Sequence, residues 1–158
     1  MLAFNEECVV VDLDAPDAQT VISLMAKKLH TQGFVSADYG DQTWAREIEH
    51  PTGLPTTPFS IAFPHADAEG VYQSALAVAI LRNSVQFKNM ADPDEDLDVF
   101  IVLMLANKNP EEQIQTLRSL AMLFGEPDKL AALLNQTTNQ AATAWVKQEL
   151  LLDQAQSG

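Results

Sequence analysis

Two unbroken apolar runs, LAVAIL at residues 76–81 and VFIVLMLA at residues 99–106, limit this chain's folding options more than any other feature. Each has the length of a strand and neither carries a polar residue, the pattern of strands covered on both faces. The longer run is too short to cross a bilayer as a helix. Between them Val85, Gln86 and Phe87 alternate after Asn83-Ser84, which predicts a turn and a hairpin partner for the first run, hence a mixed sheet.

Helices are expected around that sheet. After a first strand at residues 9–11, Asp14, Pro16 and Asp17 offer a capping residue, an early proline and first-turn acid for a helix. Its apolar face holds Ala18, Val21, Ile22, Met25 and Leu29, and Gly33 marks its end. Ser36 is placed to cap a second helix running to about Ile48, with Gly40 costing it roughly 1 kcal/mol relative to alanine. Three prolines and a glycine in residues 51–58 predict a loop, and residues 59–63 a strand ending at Pro64. Asn109-Pro110 opens a helix with Glu111 and Glu112 in its first turn, Ile114, Leu117, Leu120 and Phe124 inward, and Gly125 after its end. Pro127 starts another, carrying Leu130, Leu133 and Leu134, and Thr138 caps a last one with Ala142, Trp145 and Val146 inward. Met104, Met122 and Phe124 read as core packing. The fold expected is α/β, a single-domain sandwich with a mixed central sheet flanked by helices, formed by residues 1–158.

Composition narrows function by exclusion. A net charge of −13 repels nucleic acid phosphates and anionic lipid, and favours encounter with basic protein surfaces as much as plain solubility. Cys8 stands alone, which removes an internal disulfide and every multi-thiolate zinc pattern. The first residues are acidic, unlike a secretory signal, so a cytoplasmic location is expected. Residues 92–98, rich in aspartate, start like a calcium loop, but Leu97 and Leu103 stand where glycine and the terminal glutamate belong, and a solvated acidic turn is expected. His30 and His50 lack partners at metal spacing; a helix end and a loop account for them.

His65 follows a core strand, where α/β folds place reactive groups, although position alone favours a structural histidine. Its wording is more specific: Gly53, then Phe59-Ser60-Ile61-Ala62-Phe63-Pro64-His65-Ala66, with Arg46-Glu47 upstream. From the first helix to about Leu134 the chain resembles enzyme IIA of the sugar phosphotransferase system, mannitol and fructose type, and the segment from Pro64 to Val71 is most similar to the galactitol-specific members. The resemblance implies that His65 accepts a phosphoryl group from the carrier HPr and passes it to a cysteine of a sugar-specific enzyme IIB, with the membrane enzyme IIC involved only indirectly. It implies no cofactor or metal. Imidazole suits such a relay, being nucleophilic near pH 7 and forming a phosphoramidate labile enough to pass on.

Three further residues have open roles. Arg46 matches the family's arginine and either clamps phosphoryl oxygens or forms a surface ion pair with Glu47 or Glu49. Gln113 stands where mannitol members carry a second histidine; it either donates an amide hydrogen to phosphate or is an exposed polar residue. Asp67 either orients the imidazole or caps the next turn. An alternative family role is that of the regulatory nitrogen-type enzyme IIA, which uses the same histidine to switch protein binding.

Overall fold

The computed structural model describes residues 2–151, except for the side chains of residues 110, 112–117, 150 and 151. The apolar runs form the middle of two long strands, β4 (Ala75–Asn89) and β5 (Asp92–Ala106), paired antiparallel from Ala75↔Ala106 outward. β1 (Val9–Leu13) lies parallel to β4 on its other side, and β3 (Ser60–Ala62) lies parallel to β5. The two-residue β2 (Gly53–Leu54) pairs antiparallel with β3 and meets the far end of β4 at Asn89. Residues 75–81 and 101–106 are all buried, as strands with both faces covered require.

The helices follow their local signals closely. α1 (Ala18–Thr31) starts at Asp17, whose carboxylate accepts from the Thr20 amide at 2.8 Å and its hydroxyl at 2.7 Å. Capping thus falls to Asp17 and not to Asp14, and Pro16 stays outside the helix. Gly33 ends it at φ +81°, with its own amide on His30 O (2.9 Å) and the Phe34 amide on Leu29 O (3.1 Å), a Schellman closure. α3 (Pro110–Phe124), α4 (Pro127–Leu134) and α5 (Asn139–Val146) begin where their prolines and Thr138 indicate. Leu120, Phe124, Leu130, Leu133, Ala142 and Val146 are buried, while the side chains of Ile114 and Leu117 lie outside the described residues. No described helix is long and apolar enough to cross a membrane.

Several expectations need correction. Residues 85–87 do not fold back on the first apolar run: they continue β4 and pair with Leu97 to Val99 of β5. Asn83-Ser84 belongs to an irregularity in which Leu81 to Ser84 oppose Phe100 alone, so a polar pair that looks like a turn is a bulge. The reversal lies instead at Met90-Ala91, where Asn89 Oδ1 accepts the Ala91 amide at 2.9 Å. Residues 92–98 accordingly form the outer half of β5 and not an acidic turn, exposed except for the buried Leu97, with Asp96 paired to Lys88 across the ladder at 2.6 Å. The loop of residues 51–58 contains β2, Met122 is 73% exposed, and α2 (Tyr39–Glu49) begins three residues beyond Ser36. Ser36 bonds the Asp38 carboxylate instead of capping that helix.

Two glycines act through their lack of a side chain. A Cβ on Gly40 would sit 3.1 Å from Ala26 Cβ, so Gly40 lets α2 cross close to α1. A Cβ on Gly53 would collide with the Lys88 carbonyl oxygen, because the β2 backbone lies directly against the end of β4 and Gly53 O accepts the Met90 amide at 2.8 Å. Gly53→Ala is therefore expected to lower unfolding free energy by about 1–3 kcal/mol, as overpacking of a close backbone contact does. Urea denaturation with an unchanged slope reads this directly, and an unshifted midpoint would refute the close-approach role.

Candidate functional site

β3 delivers its chain end to one face of the domain, and the next residues, Phe63, Pro64, His65 and Ala66, are held in place at three points. Gly53 pairs with Ala62, so the antiparallel register sets Thr52 opposite Phe63. There the backbone ladder gives way to a side chain: the Phe63 amide donates to Thr52 Oγ1 at 3.2 Å. Thr52 in turn donates its hydroxyl to Glu47 Oε1 at 2.8 Å and its amide to Glu47 Oε2 at 2.9 Å. Beyond the histidine, the Ala66 amide donates to the Tyr39 hydroxyl at 3.2 Å. Tyr39 is fully buried at the start of α2, with its hydroxyl 3.5 Å from Leu105 O of β5.

The third contact acts on the imidazole itself. His65 Nδ1 lies 2.9 Å from the Phe63 carbonyl oxygen, which can only accept, so Nδ1 carries the proton and donates. In the neutral ring Nε2 then holds the lone pair, and among the described residues no protein group bonds it. Burial pushes the His65 pKa below its ordinary value of 6.5. The Phe63 hydrogen bond opposes this, the Arg46 charge adds to it, and Asp67 opposes it again. The half-buried ring is thereby favoured in its neutral, nucleophilic form near pH 7.

Arg46 and Glu47, adjacent on α2, point to different parts of the site. Glu47 is 6% exposed and turned inward, and burial raises its pKa against the two Thr52 hydrogen bonds. Arg46 faces a cleft of about 380 Å³ with His50, Ala66, Asp67 and Glu69 on its walls. Its partner is Asp67, with Nη1 3.6 Å from Oδ1, and neither Glu47 nor Glu49. That distance makes a loose ion pair and no hydrogen bond. Nε of Arg46 is buried with no partner among the described residues, so the guanidinium has donors to spare.

Of the four residues singled out from sequence, the structure brings together His65, Arg46 and Asp67. Asp67 does neither of the things expected of it, since the Phe63 carbonyl holds the imidazole and the Asp67 carboxylate caps nothing in the following turn, Ala68–Gly70. The side chain of Gln113 lies outside the described residues. Sequence reading missed Tyr39, Glu47 and Thr52 as supports of the loop, and gave His50, exposed at the end of α2, no place in the cleft. The only available signal was Glu47, an acid on the buried side of a helix with Thr52 five residues on. His30, by contrast, sits at a helix end as read, with Nδ1 3.0 Å from Val35 O. Among the described residues no three His, Cys, Asp or Glu gather into a metal site.

Comparison with known proteins identifies the family and the fold. Residues 2–149 match the family described as phosphoenolpyruvate-dependent sugar phosphotransferase system, EIIA 2. The galactitol-specific EIIA component of Escherichia coli (strain K12) is 30% identical over 138 residues, which cover 87% of this chain and 91% of that protein. The fold is similar to that of enzyme IIAMTL in its complex with phosphorylated enzyme IIBMTL from Escherichia coli, with a TM-score of 0.76 and 20% identity over 92% of this chain and 98% of that one. It is also similar to nitrogen regulatory protein IIA-Ntr from Neisseria meningitidis, with a TM-score of 0.74 and 23% identity over 90% and 95%. This mixed-sheet sandwich, matched over nearly its whole length, belongs to the EIIA 2 family of sugar phosphotransferase system phosphotransferases.

Proposed function

We propose that residues 1–158 act as one cytoplasmic phosphocarrier domain, in which His65 takes a phosphoryl group from phospho-HPr and passes it to a sugar-specific EIIB of the galactitol type. The observation that carries this reading is the Phe63 carbonyl on His65 Nδ1, which leaves the Nε2 lone pair free. In the first transfer that lone pair attacks phosphorus, the donor's N–P bond breaks, and its electron pair returns to the donor imidazole. In the second, the thiolate of EIIB attacks and the bond to Nε2 breaks. Positive charge developing on the ring is stabilised by the carbonyl at Nδ1.

Arg46 supplies the cation for the transferred group. Its pair with Asp67 is loose and Asp67 is 84% exposed, so guanidinium donors can turn to phosphoryl oxygens at little cost. Gln113, from the first turn of α3, is a second candidate donor through its side-chain amide.

Incubation with enzyme I, HPr and phosphoenolpyruvate, followed by purified galactitol EIIB, tests the relay. His65→Ala is expected to abolish labelling while keeping the circular dichroism spectrum; label on that variant would overturn the assignment. Labelling without onward transfer to EIIB would favour a regulatory role. Arg46→Lys is expected to slow single-turnover transfer by about ten-fold, because lysine keeps the charge but loses the planar fork, with Arg46→Ala slower still. Gln113→Ala should cost less, as a neutral amide binds phosphate more weakly. Wild-type rates in Arg46→Ala would remove the clamp.

The imidazole itself gives a pH test. The His65 titration followed by NMR is expected to have its midpoint below 6.5, moving up in Arg46→Gln and down in Asp67→Asn. Because the folded ring binds its proton less readily than the unfolded one, its contribution to stability is present above pH 6.5 and is lost as pH falls through the folded midpoint. A midpoint above 6.5 would contradict the buried, neutral imidazole.

A further inference from the structure

Glu47 is a buried acid that the phosphoryl relay does not itself use, and its hydrogen bonds lead to the nucleophile. Both carboxylate oxygens face Thr52: Oε2 takes the amide at 2.9 Å and Oε1 the hydroxyl at 2.8 Å. A threonine hydroxyl has a single proton, so giving it to Oε1 leaves the lone pairs of Oγ1 to face the Phe63 amide, 3.2 Å away. The carboxylate thereby decides which way the hydroxyl points. The Phe63 carbonyl then accepts from His65 Nδ1 at 2.9 Å.

Fixing Phe63 at its nitrogen also limits its carbonyl, because the residue before a proline is restricted to extended backbone, and the locked φ of Pro64 limits the chain between that carbonyl and His65. Little torsional freedom remains between the Thr52 contact and the carbonyl that selects the imidazole tautomer. The second anchor, Tyr39 on the Ala66 amide, restrains the far side of His65 but does not touch the Phe63 carbonyl.

We infer that Glu47 is a positioning residue which, through the Thr52 hydroxyl and the Phe63 backbone, holds His65 in the tautomer that presents Nε2 for phosphoryl transfer. This rests on the proposed role of His65 as phosphoryl acceptor. Glu47→Gln replaces one acceptor with a donor that faces the donors of Thr52, and Thr52→Val removes the hydroxyl at nearly constant shape. Thr52→Ser keeps the hydroxyl.

Long-range proton–nitrogen NMR of the imidazole reports the tautomer independently of phosphotransfer. Wild type is expected to show the proton on Nδ1; a wild-type ring protonated on Nε2 would overturn the inference outright. Glu47→Gln and Thr52→Val are expected to show a mixture of tautomers and to accept phosphate from phospho-HPr about ten-fold more slowly or worse, while Thr52→Ser restores both readouts. If Glu47→Gln fails to fold, Thr52→Val carries the comparison. Unchanged tautomer and rate in folded Thr52→Val would show that the network is only structural. Absence of any phosphate uptake by wild type would instead fail the proposed function, leaving the tautomer measurement to decide the positioning role by itself.

Discussion

The antiparallel ladder between β4 and β5 is the constraint on which the rest of the molecule depends. Its inner half, from Ala75↔Ala106 to Ile80↔Ile101, is buried on both faces, so both sides must be covered by other elements. α1 covers it through Val21, Ile22, Met25 and Leu29, and the helices after β5 contribute Leu120, Phe124, Leu130 and Leu133 to the same core. The outer half carries exposed acidic residues and projects past the irregularity at Leu81 to Ser84. There β2 meets the end of β4, while β3, paired with β2, lies along β5 and leads into the segment that carries the half-buried His65.

α2 turns that scaffold into a site. Its first residue, Tyr39, reaches through the core to the loop after His65, and its later residues Arg46 and Glu47 serve that same loop from two directions. The close crossing with α1 at Gly40 is part of this arrangement, since a helix held further out could not bring a buried tyrosine and a buried glutamate to the same loop. Loops that carry reactive groups are usually the mobile parts of a fold. Here the segment from Phe63 to Ala66 is tied at both ends by buried side chains and at its centre by its own carbonyl.

Arg46 and Glu47 also show how neighbouring residues separate two electrostatic tasks. A carboxylate shielded from water is costly unless hydrogen-bonded, and Glu47 meets that cost with two donors from Thr52. The Arg46 guanidinium, partly exposed at an open cleft, is only loosely paired with Asp67, which leaves its outer nitrogens available to an incoming anion. In a molecule of net charge −13, such a local cation matters more than it would on a neutral surface, because the general field repels anions.

The sequence by itself determined the two core strands, the helix boundaries at Gly33, Asn109, Pro127 and Thr138, and the place of His65 just past a core strand. Those features are local: an unbroken apolar run, a cap or a breaker acts over a few residues and can be read without knowing what lies nearby in space. Tertiary structure decided what depends on distant partners. Asn83-Ser84 looks like a turn until the register with Phe100 shows a bulge, and residues 92–98 look like a solvated loop until they are seen paired with the end of β4. Gly53 marks the motif in sequence, but only the carbonyl of Lys88, 35 residues away, explains why no side chain fits there. Likewise the tautomer of His65 is set by Phe63, Thr52 and Glu47 across a strand register and a helix end, and hydrogen bonds between such elements leave no periodic trace in the sequence.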